Sequence, residues 1–550
     1  MDNSNHKRIP YNSHPEYGTV SYSFDDSLVP DLTLGNIESH TAPLSRTQTF
    51  RTAVESMAES CSRASMMYFA ENLHITPSNQ QYNINNHFME DNHDYYYDQL
   101  SKAQLSHIMH PTLDTLNRTQ SEPTGGGSLQ GLFPNLSRPT TVASLISQPL
   151  TTLRSSFTQS IFNALNVLIG IGILTLPYAF RLAGWSVGSI ILLFCCLSTN
   201  YTAKVLIRCL NAQPIDGEAV TYSDIGAIAF GDRGRTFIGG VFILELITIG
   251  IAMVILLGDA IQSLYPSVTM VSSRLISFII LLPTLFFPIR KLSYASFIGI
   301  LSCIFLLFIV LYDGISKPNY PGSLWEMAPT EVFPSNLYSL PISFGLIMSG
   351  FAGHAVFPSI YRDMDEPKKY NKVVDISYII TILIYVSMAW AGYSMFGMET
   401  MKEITQNLAV NVGYNRLLNN IILWLVFLTP IAKYGVMMNP LQMVWEHWLL
   451  SKVQSHCWSP TSKNLFTWSN KIILHSTIVF IAIIFPGFDR VMSLLGALFS
   501  YGISVIFPLV CHLKLFGHSL STRKYILDWV ILSISCTIAI IGTIWSFLPT

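Results

Sequence analysis

Three ionisable side chains lie inside long apolar runs of this sequence: Glu245, His354 and Lys433. A charge held at mid-membrane costs at least about 2.5 kcal/mol on insertion scales, so each should face a cavity or a partner. The Lys433 ammonium can occupy a cation position, form a structural ion pair, or extend to the interface. The Glu245 carboxyl can relay protons or be the fixed partner of Lys433. His354 can titrate near physiological pH, or it can be a buried histidine whose ring nitrogens are hydrogen-bonded.

Two of the apolar runs carry matching glycine and proline residues. The first reads Gly-Ile-Gly at 170–172 with Pro177 after it, and the second reads Gly-Phe-Ala-Gly at 350–353 with Pro358 after it. An aromatic residue followed by arginine ends both copies. Five apolar runs separate the two starts, so the copies cross in opposite directions, which predicts an inverted repeat.

Glycine weakens a helix and proline removes a backbone donor, so both runs are predicted to break inside the membrane. A broken span leaves N–H and C=O groups free, which is tolerated only where they line a cavity. Free amides suit a carboxylate, and free carbonyls suit an ammonium or a cation. The pair of breaks therefore predicts a site for a zwitterionic amino acid; the alternative is that these residues only ease helix packing.

The composition indicates which elements must position these residues. Half of the 550 residues are apolar and 12% are charged, whereas soluble domains have about 25% charged residues. About 20 helical residues span the hydrocarbon core, where the backbone must satisfy its own hydrogen bonds. The sequence predicts an all-α membrane protein with eleven transmembrane segments: 157–180, 187–209, 236–261, 273–289, 293–313, 337–360, 374–396, 417–441, 472–487, 491–513 and 525–548.

Basic residues in the connections predict the orientation of these segments. With a cytoplasmic amino terminus, 17 Lys and Arg residues fall on the cytoplasmic side and 6 on the opposite side. Eleven crossings then place the carboxy terminus in the lumen. Residues 1–154 are acidic and rich in Ser, Thr, Asn and Asp, which predicts a disordered cytoplasmic tail before a membrane domain at 155–550.

The first run, Ser160-Ile-Phe-Asn-Ala-Leu-Asn-Val-Leu-Ile-Gly-Ile-Gly-Ile-Leu174, is followed by Pro-Tyr-Ala-Phe at 177–180 and Ala-Gly-Trp at 183–185. With the sixth-segment motif 350–358 and Thr429-Pro430, it resembles the amino acid/auxin permease family over about 155–548. Within the family it is similar to vacuolar amino-acid transporters with long tails. The resemblance implies a LeuT-like (APC) fold of two inverted five-helix repeats plus one helix, with helices 1 and 6 broken.

The resemblance implies secondary active transport of neutral amino acids by alternating access, coupled to protons, by antiport into the vacuole. It implies a substrate site between segments 1 and 6, against segments 3 and 8. The expected substrate-binding residues are Asn163, Asn166, Gly170, Ile171, Gly172, Thr175, Ser349, Gly350, Phe351 and Gly353. The expected coupling-ion residues are Asn166, Thr429, Lys433, His354 and Glu245.

Several alternatives stay open at this level. In sodium-coupled relatives the residue matching Asn166 helps to hold sodium with one matching Thr429, but Asn166 can instead make an interhelical hydrogen bond. A sodium-coupled or export-direction carrier has the same fold. A third alternative is an amino-acid-sensing transceptor that signals through partners of its tail.

No phosphate loop, nucleophile elbow or Cys/His cluster occurs in the sequence. We therefore predict no enzyme activity, no cofactor, no metal site and no nucleic-acid binding. The expected partners are neutral amino acids, protons and the lipid bilayer, with trafficking or signalling partners as candidates for the tail.

Overall fold

The computed structural model describes residues 154–212, 222–287, 289–411, 413–452, 460–485 and 487–548. The predicted disordered tail lies outside the described residues except for Arg154. The α-helices are α1 Phe157–Leu168, α2 Leu176–Leu210, α3 Tyr222–Phe230, α4 Asp232–Leu264, α5 Met270–Leu281, α6 Ile289–Ser316, α7 Leu340–Ser349, α8 Phe357–Asp363, α9 Tyr370–Phe396, α10 Ile404–Val410, α11 Arg416–Lys452, α12 Pro460–Ile484, α13 Phe488–Leu494, α14 Phe507–Phe516 and α15 Thr522–Phe547.

The described part of the chain is helical and multi-pass, as predicted. Eight stretches are long and apolar enough to cross a membrane, and two shorter apolar helices lie at Met270–Phe286 and Leu301–Ser316. One of the eight, Ile171–Leu210, contains Gly184 at φ 69°, which separates two helical segments within it. The predicted total of eleven membrane helices stays a prediction.

Some helix ends differ from the apolar segments that predicted them. Helix α12 begins at Pro460, twelve residues before the predicted start at 472, because polar first turns continue the helix beyond its apolar part. Helix α11 likewise runs to Lys452 and contains Pro430 and Pro440. Hydropathy marks the part of a helix that suits lipid, and not the residue at which the helix begins or ends.

Close backbone contact and buried polar bonds both hold the helices together. A Cβ atom on Gly345 of α7 would collide with the backbone of Ser493 in α13, so glycine permits this approach. Asp528 of α15 accepts a hydrogen bond from the hydroxyl of Tyr201 at 2.6 Å and lies 2.8 Å from His512 Nδ1. These contacts tie α2, α14 and α15 into one packed domain.

Two sets of polar contacts link helices on either side of the broken segments. In the first set, Lys204 of α2 pairs with Asp375 of α9, and the Tyr370 hydroxyl of α9 donates to the carbonyl of Ala203 at 3.1 Å. In the second set, the Tyr434 hydroxyl of α11 lies 2.7 Å from Nδ1 of His475 in α12.

Candidate substrate and ion site

The first membrane span breaks where the glycine pattern predicted it. Helix α1 ends at Leu168, and Ile169 and Gly170 are extended. A 3-10 turn at Ile171–Thr175 follows, before α2 begins with Pro177 in its first turn. The predicted substrate-site residues Gly170, Ile171, Gly172 and Thr175 therefore lie in a non-α-helical stretch. Within it, Ile171, Gly172 and Thr175 are buried.

The second predicted break is also present. Helix α7 ends at Ser349, and the chain continues through Gly350 and Phe351 to Gly353, whose φ of 118° is open to glycine at little steric cost. A 3-10 turn at His354–Val356 then leads into α8. The structure thus excludes a continuous helix through either glycine motif.

The two breaks touch each other. A Cβ atom on Gly172 would lie 3.0 Å from both the N and the Cα atoms of Gly350, and 3.2 Å from Ser349 Oγ. A Cβ atom on Gly353 would collide with the side chain of Val167 at the end of α1. Residues far apart in the sequence are therefore brought into direct backbone contact.

Tyr385 of α9 bridges both breaks, and the sequence analysis missed it. Its buried hydroxyl lies 2.7 Å from the carbonyl oxygen of Leu168 and 2.7 Å from that of Gly350, so it can donate to either. Tyr378, Tyr385 and Tyr393 recur two helical turns apart and are all buried. This spacing puts them on one face of α9, which is the signal that could have identified Tyr385.

Free peptide groups remain at the breaks, as broken spans require. Among the described residues, no acceptor faces the N–H groups of Ala352 and Gly353, whereas the N–H of Gly170 faces the Tyr385 hydroxyl. The carbonyl of Gly172 accepts a 3.0 Å hydrogen bond from the Thr175 hydroxyl, and the Ser349 hydroxyl donates to the carbonyl of Leu346 within α7. Amide donors are thus concentrated beside the contact of the two breaks.

Lys433 of α11 packs against α6, the helix that carries Cys303 to the first break. The lysine is 5% exposed, and a Cβ atom on Gly299 of α6 would lie 2.6 Å from its Cε atom. Cys303 lies one helical turn after Gly299, and its Sγ atom lies 3.8 Å from the carbonyl oxygen of Gly170. Lys433 is therefore packed against α6 beside the first break.

Glu245 and Thr429 have different surroundings from those expected of a shared ion site. Glu245 is 6% exposed on α4 and forms no ion pair with Lys433 in the described part of the chain. The interpretation of Glu245 as the fixed partner of Lys433 therefore has no support here. The Thr429 hydroxyl donates to the carbonyl of Leu425, one turn earlier in α11.

His354 is fully buried and points toward α2. Its Nε2 atom lies 2.9 Å from the carbonyl oxygen of Thr199 and 3.1 Å from Thr202 Oγ1. A carbonyl only accepts, so Nε2 carries a proton. Nδ1 has no hydrogen-bond partner among the described residues. A second proton on His354 would therefore bind to Nδ1, beside the second break.

Asn163 and Asn166 lie on α1, before the first break. Asn163 is 2% exposed, whereas Asn166 is partly buried. Both make further interactions with the rest of the chain. They extend the predicted site along α1, while Phe351 packs edge-on against Tyr385 with ring centroids 5.4 Å apart.

Comparison with known proteins gives a family match across the membrane domain. The family model described as "Transmembrane amino acid transporter protein" matches residues 153–548. Amino acid transporter AVT1I of Arabidopsis thaliana is 31% identical over 380 residues, which are 66% of this chain and 87% of that protein. Amino acid transporter AVT1C of the same plant is 29% identical over 458 residues, 80% of this chain and 79% of that protein.

Two solved transporters align with the structure at low similarity. MhsT in complex with L-phenylalanine has a TM-score of 0.43 and 12% identity, with coverage of 70% of this chain and 98% of that one. A mutant of the Eremococcus coleocola manganese transporter has a TM-score of 0.42 and 14% identity, with coverage of 72% of this chain and 87% of that one.

Proposed function

This chain belongs to the transmembrane amino acid transporter family, and from that premise we propose that it carries neutral amino acids across the vacuolar membrane by proton-coupled antiport. The observation that carries the proposal is the contact between two broken spans at Gly172 and Gly350. Named amino acid transporters cover most of the chain at about 30% identity, which supports an amino acid as the cargo.

The peptide groups of the breaks fit both ends of an amino acid. The N–H groups of Ala352 and Gly353 can donate to a carboxylate, while the carbonyls of Leu168 and Gly350 can accept from an ammonium. Ile171 and Phe351 add apolar surface at the same place. This combination favours an uncharged side chain on the substrate.

Coupling to protons is supported by the ionisable residues around the breaks. Lys433 packs against Gly299 of α6, one turn before Cys303, whose Sγ atom lies 3.8 Å from the carbonyl oxygen of Gly170, so a fixed positive charge can take the place of sodium beside the first break. His354 joins the second break to α2 through Nε2 and leaves Nδ1 to bind a proton. We propose that Lys433 supplies a permanent positive charge and that His354 binds and releases the coupling proton.

Alternating access needs a group of helices that moves as one body. Tyr385 ties α9 to both breaks, and Lys204 pairs with Asp375 across α2 and α9. Ser155 at the start of α1 bonds to Asp363 at the end of α8 through side chain and backbone. We propose that α1, α2, α8 and α9 rock as one body against α4, α5, α11 and α12. The proposed fold has eleven crossings and two inverted repeats.

The proposed orientation has a cytoplasmic amino terminus and a luminal carboxy terminus. It is supported by the excess of basic residues on one side of the predicted segments. With this orientation, the connection between α9 and α11 faces the lumen of the vacuole.

The proposed function is tested by labelled amino-acid flux in sealed vesicles with an imposed proton gradient of either sign. Accumulation should follow the proton gradient, and should be unchanged when sodium is replaced by a large organic cation. Loss of accumulation on sodium replacement would identify a sodium-coupled carrier. A purified chain that binds amino acid but moves none in vesicles would favour the transceptor.

Lys433→Met should abolish gradient-driven accumulation, with at least a tenfold lower rate, because the substituted side chain keeps the volume but removes the fixed charge. The matched control is Lys471→Met, since Lys471 lies on α12 and donates to the carbonyl of Leu285, remote from the breaks. Uptake by the Lys433→Met chain equal to that of the control would remove Lys433 from the coupling mechanism.

A further inference from the structure

The connection between α9 and α11 forms a lid, which we define as residues 397–411. It contains a 3-10 turn at Gly397–Glu399 and the short helix α10. Ile404 of the lid is fully buried beside Pro177, the proline that follows the first break. The lid therefore covers the end of the broken span on the side opposite the chain's first membrane entry.

Several polar bonds fasten this lid to the membrane helices. Arg181 of α2 donates to the carbonyl of Thr400 at 2.7 Å, and the amide of Asn419 in α11 donates to the carbonyl of Leu408 at 3.3 Å. Lys402 pairs with the buried Asp489 of α13 at 2.8 Å. Each of these bonds has both a donor and an acceptor in place.

The carboxyl group of Glu403 is held differently. Glu403 is 1% exposed and lies at the N-cap of α10, but its side chain makes no capping bond there. Helix α10 packs against α4, where the carboxyl group of Asp259 is the acidic neighbour of Glu403. Asp259 also pairs with Arg274 of α5 at 2.8 Å. Within the described part of the chain, two acids and one base are thus enclosed where the lid meets α4 and α5.

The three groups do not balance if both acids are ionised. Arg274 is fully buried and already donates to Asp259 and to the carbonyl of Ile255. The Oε1 atom of Glu403 faces no donor among the described residues. Two carboxylates can bond to each other only when one carries a proton. An unpaired buried carboxylate is costly, so the group is stable only when it is neutral overall.

We infer that Glu403 and Asp259 bind one proton between them, and that this proton holds the lid closed. The proton forms the missing hydrogen bond between the two carboxyl groups and cancels the excess negative charge. The site is a proton-binding site at the entrance of the proposed pathway, separate from His354 and Lys433. The inference rests on the proposed transport function in one respect: the lid needs a transport pathway to cover.

The direction of the pH response follows from the surroundings of Glu403. Burial raises its pKa well above the usual value, the neighbouring Asp259 raises it further, and Arg274 lowers it without cancelling the rise. The Thr405 hydroxyl is its remaining polar neighbour. An opened lid exposes Glu403 to water and returns its pKa toward the usual value. The closed lid thus binds more protons, and rising pH favours opening.

The inference is tested by the accessibility of a buried lid position in the purified full chain in detergent micelles. Cys61, Cys457 and Cys536 are first replaced by serine, and Leu408→Cys is introduced, since Leu408 is 1% exposed. Its rate of reaction with a hydrophilic maleimide is divided by that of Met398→Cys, which is 40% exposed on the same lid. This ratio removes the pH dependence of the thiol itself.

We expect the ratio to rise about tenfold between pH 5 and pH 8. Glu403→Gln, which keeps a neutral hydrogen-bonding group, should hold the ratio low and constant within a factor of two. The matched control is Glu399→Gln, because Glu399 is an exposed carboxylate on the same lid. It should keep the tenfold rise.

A ratio that is constant with pH in the parent chain, or a full rise in the Glu403→Gln chain, overturns the inference. If Glu403→Gln does not fold, Asp259→Asn serves in its place and should also give a constant ratio, because Glu403 then pairs with Arg274. Constant labelling with normal amino-acid flux would reject the proton site alone. A pH-dependent lid in a chain that moves no amino acid would reject the transport function alone.

Discussion

The ionisable residues around the breaks lie in separate places. Lys433 packs against α6 beside the first break, whereas His354 bonds to α2 from the second break. Glu245 is on α4 and shares no ion pair with either in the described residues. One buried cluster therefore does not hold all the ionisable groups.

Tyr385→Phe is the sharpest test at the scale of one residue. Removing the hydroxyl leaves the carbonyls of Leu168 and Gly350 without their shared donor, which typically costs about 1–3 kcal/mol for buried groups. We expect the protein to fold with a lower melting temperature and to transport at least tenfold more slowly. Thermal unfolding and vesicle uptake measure the two effects.

Tyr378→Phe is the matched control, because Tyr378 is buried on the same face of α9 and its hydroxyl has no partner within hydrogen-bond geometry among the described residues. It should change both measurements little. Equal effects of the two substitutions would show that packing, and not the bridging hydroxyl, decides the outcome.

At the scale of the helical element, one glycine leaves room for a close backbone contact at the breaks, and another adopts a backbone angle that suits glycine. Gly172 permits the first break to approach the backbone of Gly350, and Gly353 adopts a positive φ that costs other residues about 1–2 kcal/mol. The two glycines therefore have different physical roles in what the sequence presents as similar motifs. Proline follows both breaks and starts the next helical segment.

Gly172→Ala should separate the two breaks by a few tenths of an ångström, because the new Cβ atom would lie 3.0 Å from the backbone of Gly350. We expect transport to fall at least tenfold, with a modest loss of stability. Vesicle uptake at matched protein amounts gives the result. Gly239→Ala on α4 meets nothing within 4 Å and should leave uptake unchanged; full activity of both chains would contradict the role of the contact.

At the scale of the whole molecule, the first described residues are fastened to the end of α8 at Ser155. The backbone of Ser155 donates to the carbonyl of Asp363 at 2.6 Å and accepts from the N–H of Asp365 at 3.0 Å. Helix α1 is capped by Ser156, whose hydroxyl accepts from the N–H of Gln159. The body that we propose to move is therefore fastened at its first residues.

Deleting residues 2–150 should leave vesicle uptake within a factor of two, since none of these contacts is removed. Deleting residues 2–156 should reduce uptake strongly, because the link to Asp363 and the cap of α1 are both lost. A tail that is needed for flux would give a large loss in the shorter deletion as well, and would contradict the assignment of transport to residues 155–550.

Hydropathy and glycine–proline patterning determined much of this protein. They predicted the helical membrane domain and the two breaks, because the cost of burying peptide groups in lipid acts on each segment by itself. They did not predict Tyr385 or the group formed by Glu403, Asp259 and Arg274. An isolated tyrosine or carboxylate in a sequence carries no mark of the residue that it will meet.

Only the tertiary structure decided which of the polar residues act together. It joined Gly172 to Gly350 and separated Glu245 from Lys433, although all four stood out in the sequence. The physical reason is that hydrogen bonds and charge pairs depend on distances of about 3–4 Å between atoms. Such distances are set by how helices rotate and cross, which is a property of packing between segments and not of any one segment.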